Sequence, residues 1–298
     1  MNVIVKALCY VIIIIVTYLL KKKKIVPLDS SRVFSSIMLT LTLPCAIVVN
    51  LNAQIIPIHM LFVIGLGIVY NVISLLIGYF VGERKKNGIM TMINVSGYNI
   101  GCFAMPFVSG VFTAQGILIT SLFDIGNSLM CLGFNFGIAS AIQAKRSRAH
   151  IKNVLLKVMQ SVPIWTYIIM LLLCLFALQL PACFLPFFEV VGQSNAFIAM
   201  AVIGLSINIV YKKEYLLHII SVIVLRIIIS ILLTIISFCL PIPAVIRNVI
   251  IILCFSPIGA ASIIFTRQLG LDSEEAASIN SLYIIISIVI MSILIMVI

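Results

Sequence analysis

Ten apolar runs, each close to the thickness of a bilayer, set the pattern of this chain. They cover residues 3–20, 33–51, 59–81, 88–110, 116–142, 154–178, 184–210, 215–238, 245–267 and 276–297. A helix of roughly 20 apolar residues crosses the hydrocarbon core. In lipid the backbone must satisfy itself, so only helices or closed strands can span. The runs lack the strict alternation of barrel strands and therefore predict helices. The stretch from 88 to 142 admits another division. No polar segment between the runs is long enough to form a soluble domain. The pattern predicts an all-α integral membrane protein of ten transmembrane helices. The first run, Ala7–Leu20, passes straight into Lys21, Lys22, Lys23 and Lys24 without a small-residue cleavage site. It reads as a retained span rather than a leader.

Composition agrees: 63% of residues are hydrophobic and 9% charged, against about 25% charged in soluble domains. The net charge of +11 does not mark a nucleic-acid partner, because the basic residues sit in short clusters between apolar runs. Sixteen of the 19 Lys and Arg residues follow odd-numbered spans. The excess of positive charge on cytoplasmic loops then places those connections in the cytoplasm and both termini outside, in a plasma (bacterial inner) membrane. The eight cysteines show no CxxC spacing and read as inert buried thiols. The sequence calls for no metal and no cofactor. Walker, HExxH and GxSxG patterns are absent, which argues against an ATPase or a membrane-embedded enzyme.

The chain also carries an internal match. Phe112-Thr113-Ala114-Gln115 recurs as Phe265-Thr266-Arg267-Gln268, and Asn127-Ser128-Leu129 as Asn280-Ser281-Leu282, both 153 residues on. That offset is about half the chain and carries span one onto span six. It predicts two five-helix repeats, 1–145 and 146–298. An odd number of spans per repeat forces opposite orientations, and inverted repeats with interrupted helices at midplane characterise secondary transporters. Pro106 in span four and Pro257 in span nine stand near matching places. A mid-span proline removes a backbone hydrogen bond and kinks or breaks the helix.

The run Asn99-Ile100-Gly101-Cys102-Phe103-Ala104-Met105-Pro106 resembles the fourth-span motif of the auxin efflux carrier family, roughly N-x-G-F-x-G-x-P; Cys102 and Ala104 depart from it. Ser256-Pro257, then Gln268-Leu269-Gly270-Leu271-Asp272 and Ala276-Ala277, are similar to the ninth-span region. The tail lacks a proline often present in the last span. The resemblance extends over the whole chain. It implies two inverted five-helix repeats, with spans four and nine crossing at their prolines in a moving bundle. A scaffold of spans one, two, six and seven would stand beside it. It also implies small organic anions as substrates, dicarboxylates in bacterial members and auxin in plant ones.

A helix broken at midplane exposes N–H groups at the start of its second half, a setting that suits an anion. The candidate substrate site comprises Asn94, Asn99, Gly101 and Pro106 around the first break and Ser256, Pro257 and Ser262 around the second. Asn127 and Asn280 occupy matching repeat positions and either lines the crossing or bonds between helices. Asp124 and Arg226 are the ionisable residues placed well inside spans, where such groups pair or line a path. They are candidates for an ion pair or a coupling role, and Arg226 also for a direct clamp on a carboxylate. Pro44, Asn50, Asn52, Gln193 and Asn195 form a possible scaffold face. His59, His150 and His218 lie near span ends and read as solvated. Secondary transport of a mono- or dicarboxylate, coupled to protons or sodium, is the leading reading, and a homodimer is compatible with it. The alternatives are a sodium-coupled carrier of the bile-acid type and an anion channel.

Overall fold

A computed structural model describes residues 3–27, 30–82, 86–105, 107–108, 112, 114–144, 161–207, 213–259 and 261–298. Every regular element among them is helical, and none is a strand. The elements are α1 (Val3–Lys22), α2 (Ser30–Leu51), α3 (Ile58–Val81), α4 (Lys86–Val95), α5 (Ala114–Gln143) and α6 (Val162–Leu175). They continue with α7 (Ala182–Ser206), α8 (Lys213–Cys239), α9 (Ala244–Cys254), α10 (Ala261–Gln268) and α11 (Ser273–Val297). Among the described residues six helices are long and apolar enough to cross a membrane: α2, α3, α5, α7, α8 and α11. The shorter α6 and α9 are also apolar.

Local chemistry sets several boundaries. Pro163 stands in the first turn of α6, where no backbone donor is missed. Asp272 caps α11, its carboxylate accepting from the backbone N–H groups of Glu274 at 2.9 Å and Glu275 at 3.3 Å.

Apolar runs four and nine each fold as separate pieces. α4 stops at Val95, and the chain becomes helical again only in a π turn at Ile100–Ala104. The sequence reading puts the first break at Pro106. That residue lies outside the described ones, and the break comes ahead of it, in a stretch without proline. Gly97 adopts φ +79° there, a left-handed conformation that glycine alone enters freely. In the second case α9 stops at Cys254 and α10 starts at Ala261, with Pro257 inside the gap.

The chain forms two compact units, each drawn from both halves of the sequence. The first holds residues 1–62, 101–122 and 161–207, and so includes runs one, two, six and seven. Its helices approach through small residues. A Cβ on Gly204 of α7 would stand 2.4 Å from the Ile14 carbonyl oxygen of α1. Thr42 donates to Asn195 Oδ1 at 3.0 Å, and the Leu180 N–H to Asn52 Oδ1 at 3.1 Å. Asn52 and Asn195 thus hold this unit together. Lys21, read in the sequence as a topology signal, donates to the Leu205 and Ile207 carbonyls at the end of α7, both at 2.8 Å.

The second unit holds residues 63–100, 123–160 and 208–298. An apolar cluster of Leu75, Met92, Ile93, Phe136, Phe265 and Leu269 joins α3, α4, α5 and α10. The repeated tetrapeptide does not fall on corresponding helix positions. α5 starts at Ala114, inside the first copy, whereas Phe265–Gln268 closes α10. Asn127 and Asn280 consequently sit at different distances from the starts of α5 and α11.

Candidate functional site

The site lies in the second unit, where the two backbone breaks meet, and it is assembled from a close crossing of α3 and α5. A Cβ on Gly67 would stand 2.3 Å from the Phe123 carbonyl oxygen, and one on Gly126 2.1 Å from that of Ile64. Only glycine permits this approach. It brings Asn71, one turn beyond Gly67, beside Asn127, the neighbour of Gly126.

These two amides hold the first break. Asn71 Oδ1 accepts from the Gly97 N–H at 2.9 Å. Asn127 pairs with both backbone groups of Tyr98, accepting from its N–H at 3.0 Å and donating to its carbonyl at 2.8 Å. Asn127 also donates to Asp124 Oδ1 at 2.9 Å and accepts from Asn71 Nδ2 at 3.2 Å. Ser128 donates to the same Asp124 oxygen at 3.4 Å.

Arg226 of α8 fastens the first break to the second. Its Nη1 donates to the Val95 carbonyl at 2.6 Å. Its Nη2 donates to the carbonyls of Gly97 at 2.8 Å and Ser256 at 3.1 Å, with Pro257 at 3.5 Å. The guanidinium carbon lies 4.9 Å from the Tyr98 ring centroid and 5.0 Å from that of Tyr283. Burying a charge at membrane depth costs about 2.5–3.5 kcal/mol on the insertion scale. Hydrogen bonds to a charged group are worth about 1.5–3 kcal/mol each, and a desolvated cation–π contact about 2 kcal/mol. The carbonyls and the two ring faces thus stand in for the hydration that Arg226, 1% exposed, gives up.

The second break closes by the same logic. The Asn99 N–H donates to the Pro257 carbonyl at 2.8 Å. Ser230 of α8 donates to the Cys254 carbonyl at 2.7 Å, and Ser256 Oγ to that of Leu253. Both broken segments rest on Cys131, in the π turn of α5 at Met130–Phe134. A Cβ on Gly97 would meet Cys131 Sγ at 3.0 Å and one on Gly259 at 2.4 Å.

Among the described residues, several polar atoms of this unit have no hydrogen-bond partner. They are Arg226 Nε, Asn94 Oδ1, Ser262 Oγ, Asn280 Oδ1 and the Tyr283 hydroxyl, all buried. They belong to α4, α8, α10 and α11, which pack together in this unit. An unpaired buried polar group costs about 1–3 kcal/mol, so these atoms are suited to a ligand or to water.

Most of the residues picked out in the sequence fall in this region. Asn94, Asn99, Asn127, Arg226, Ser256, Pro257, Ser262, Asn280 and Asp124 all belong to the second unit, whereas Gly101 opens the stretch counted with the first. Among the described residues no His, Cys, Asp or Glu group of three or more is placed to hold a metal. The sequence reading missed Asn71, Gly97, Tyr98, Ser230 and Tyr283. Ser96-Gly97 was a usable signal, because that dipeptide marks turns even within an apolar run. It also leaves His218 in solvent, whereas the structure buries most of that ring against Glu275.

Long apolar helices, two of the ten runs interrupted, and a buried cation between the interruptions define an integral membrane protein with a polar centre. Residues 3–295 match the model of the membrane transport protein family. The chain belongs to this family, the group of the auxin efflux carriers, which comprises transporters and not enzymes. No curated protein matches the sequence.

Proposed function

We propose that this protein is a secondary carrier of a small organic anion, a mono- or dicarboxylate, working by alternating access. The observation that carries the reading is Arg226: a fixed positive charge where two helix breaks meet, with Nε–H lacking an acceptor. Carbonyl dipoles fix the position of that charge without neutralising it. An anion arriving beside it gains attraction in a low-dielectric setting. Ser262 Oγ and the Tyr283 hydroxyl can donate further hydrogen bonds. Asn94 Oδ1 and Asn280 Oδ1 only accept, which suits a hydroxyl or a protonated carboxyl on the same substrate.

The wider account is ten membrane-spanning helices in two inverted five-helix repeats, 1–145 and 146–298, with both termini extracytoplasmic in a bacterial inner membrane. Grouping of runs one, two, six and seven in one compact unit, together with residues 101–122, supports a scaffold, and grouping of both breaks in the other supports a moving bundle. Proteoliposomes test this reading with labelled acetate, malonate, succinate and citrate. A carrier gives saturable uptake and counterflow exchange of at least one of them. A channel gives conductance without counterflow, which would refute the carrier mechanism.

A further inference from the structure

A second polar cluster joins three helices of the same unit. His218 stands on α8 two turns before Arg226, about 12 Å along the axis at 1.5 Å per residue. Its Nδ1 is 2.6 Å from Glu275 Oε1 on α11, and its Nε2 is 3.0 Å from Thr91 Oγ1 on α4. The side chains of His218 and Glu275 are 16% and 12% exposed, and Thr91 is buried. The cluster is therefore mostly buried, with a small part of its surface exposed.

We propose that His218, Glu275 and Thr91 form the proton-binding site of this carrier, and that H⁺ is the ion coupled to the anion. This rests on the carrier reading above. With Nδ1–H directed at Glu275, a neutral imidazole presents a bare Nε2 that accepts from the Thr91 hydroxyl. A proton taken from the aqueous phase onto Nε2 makes that nitrogen a donor, so the Thr91 hydrogen bond must reverse. Thr91 lies one turn before the end of α4 at Val95, whose carbonyl Arg226 holds. The protonation state is thus registered on the helix that ends at the candidate anion site. The donor set suits a proton better than sodium, which favours a shell of oxygens, because one of its three groups is an imidazole nitrogen.

The charged residues nearest in sequence or on the helices packed against it are Lys213 and Glu214 on α8, Asp272 and Glu274 at the start of α11, and Arg267 at the end of α10. Lys86 opens α4, and α9 carries Arg247, whose guanidinium lies over Phe238. Tyr215 donates to Asp272, and Asp272 caps α11, so that acid is engaged elsewhere.

The test uses the full chain labelled with ¹⁵N-histidine. Only His59, His150 and His218 contribute signals, and His218→Gln identifies the third. The His218 nitrogen signals should move with pH, and over a different range in Glu275→Gln, because the Nδ1 partner is changed. In proteoliposomes carrying labelled succinate, both variants should keep exchange at equal pH and lose uptake driven by a pH gradient. A His218 signal that never moves, or that titrates identically in Glu275→Gln, overturns the proposal. So does gradient-driven uptake retained in both variants, or exchange lost together with uptake in folded protein. If the wild-type chain moves no carboxylate at all, the anion reading fails, and the titration alone decides whether the triad is a proton site.

Discussion

Asn127 uses all four of its hydrogen-bonding positions: two donated, to Tyr98 and Asp124, and two accepted, from Tyr98 and Asn71. An amide is the one side chain that can pair with both backbone groups of a single residue in this way. Asn127→Asp should therefore be more damaging than its size suggests. The carboxylate cannot donate to the Tyr98 carbonyl, and it faces Asp124 as well. Leaving that carbonyl unpaired costs about 1–3 kcal/mol, and like-charge repulsion adds to it. A thermal unfolding midpoint several degrees below wild type in detergent is the expected result. The double change with Asp124→Asn should recover part of the loss, because a donor returns. Unfolding of Asn127→Asp at the wild-type temperature would mean that the amide does not hold the break. At this scale the sequence was partly legible. Asn127 and Asn280 stood out through the internal match, and Arg226 because ionisable groups are scarce in apolar runs. Their roles did not, because a role depends on which carbonyl a distant helix leaves unpaired. Arg226 pointed toward Asp124 or a carboxylate, yet its hydrogen bonds go to four backbone carbonyls, groups present at every residue and therefore invisible to a search for charges.

At the scale of elements the site depends on how closely two non-helical segments approach α5. Gly97 and Gly259 come from different breaks and both face Cys131. Gly259→Ala should be destabilising, since its Cβ would stand 2.4 Å from Cys131 Sγ. Overpacking of this kind costs about 1–3 kcal/mol. Cys131→Ala removes the obstructing sulfur, so Gly259→Ala with Cys131→Ala should be more stable than Gly259→Ala alone. The midpoints of the two singles and the double, combined as a cycle, measure the coupling. Simple additivity would show that the second break does not rest on Cys131. The helices themselves were legible from apolar run lengths, and their ends mostly from prolines and Asp272. The first break comes ahead of Pro106, because a glycine at positive φ interrupts the helix earlier. The internal match at 153 residues is not matched by the helices, because α5 and α11 start farther apart than that, so matched letters do not occupy matched helix positions.

At the scale of the whole molecule, the proposed carrier is a chain threaded ten times through a bilayer, with the two backbone breaks and Arg226 as the place for an anion. The threading makes its own prediction. In Ser147→Cys and Gln179→Cys variants, an impermeant maleimide added outside intact cells should label residue 179 above the background of the parent protein. Residue 147 should react only after permeabilisation. Labelling of residue 147 from outside would overturn the ten-span arrangement. The central claim is that the anion binds where Asn99 and Pro257 bring the two broken segments together, and affinity in the Asn99→Ala variant tests it most directly. The backbone N–H of Asn99 stays with the Pro257 carbonyl in that variant, so the break keeps its tie while the side chain is lost. A hydrogen bond to a charged group is worth about 1.5–3 kcal/mol, which corresponds to a loss of roughly 10- to 150-fold in apparent affinity for the carboxylate that the wild-type protein transports. Normal folding with that loss is the expected outcome, and an unchanged affinity would contradict the assignment of the anion to this crossing.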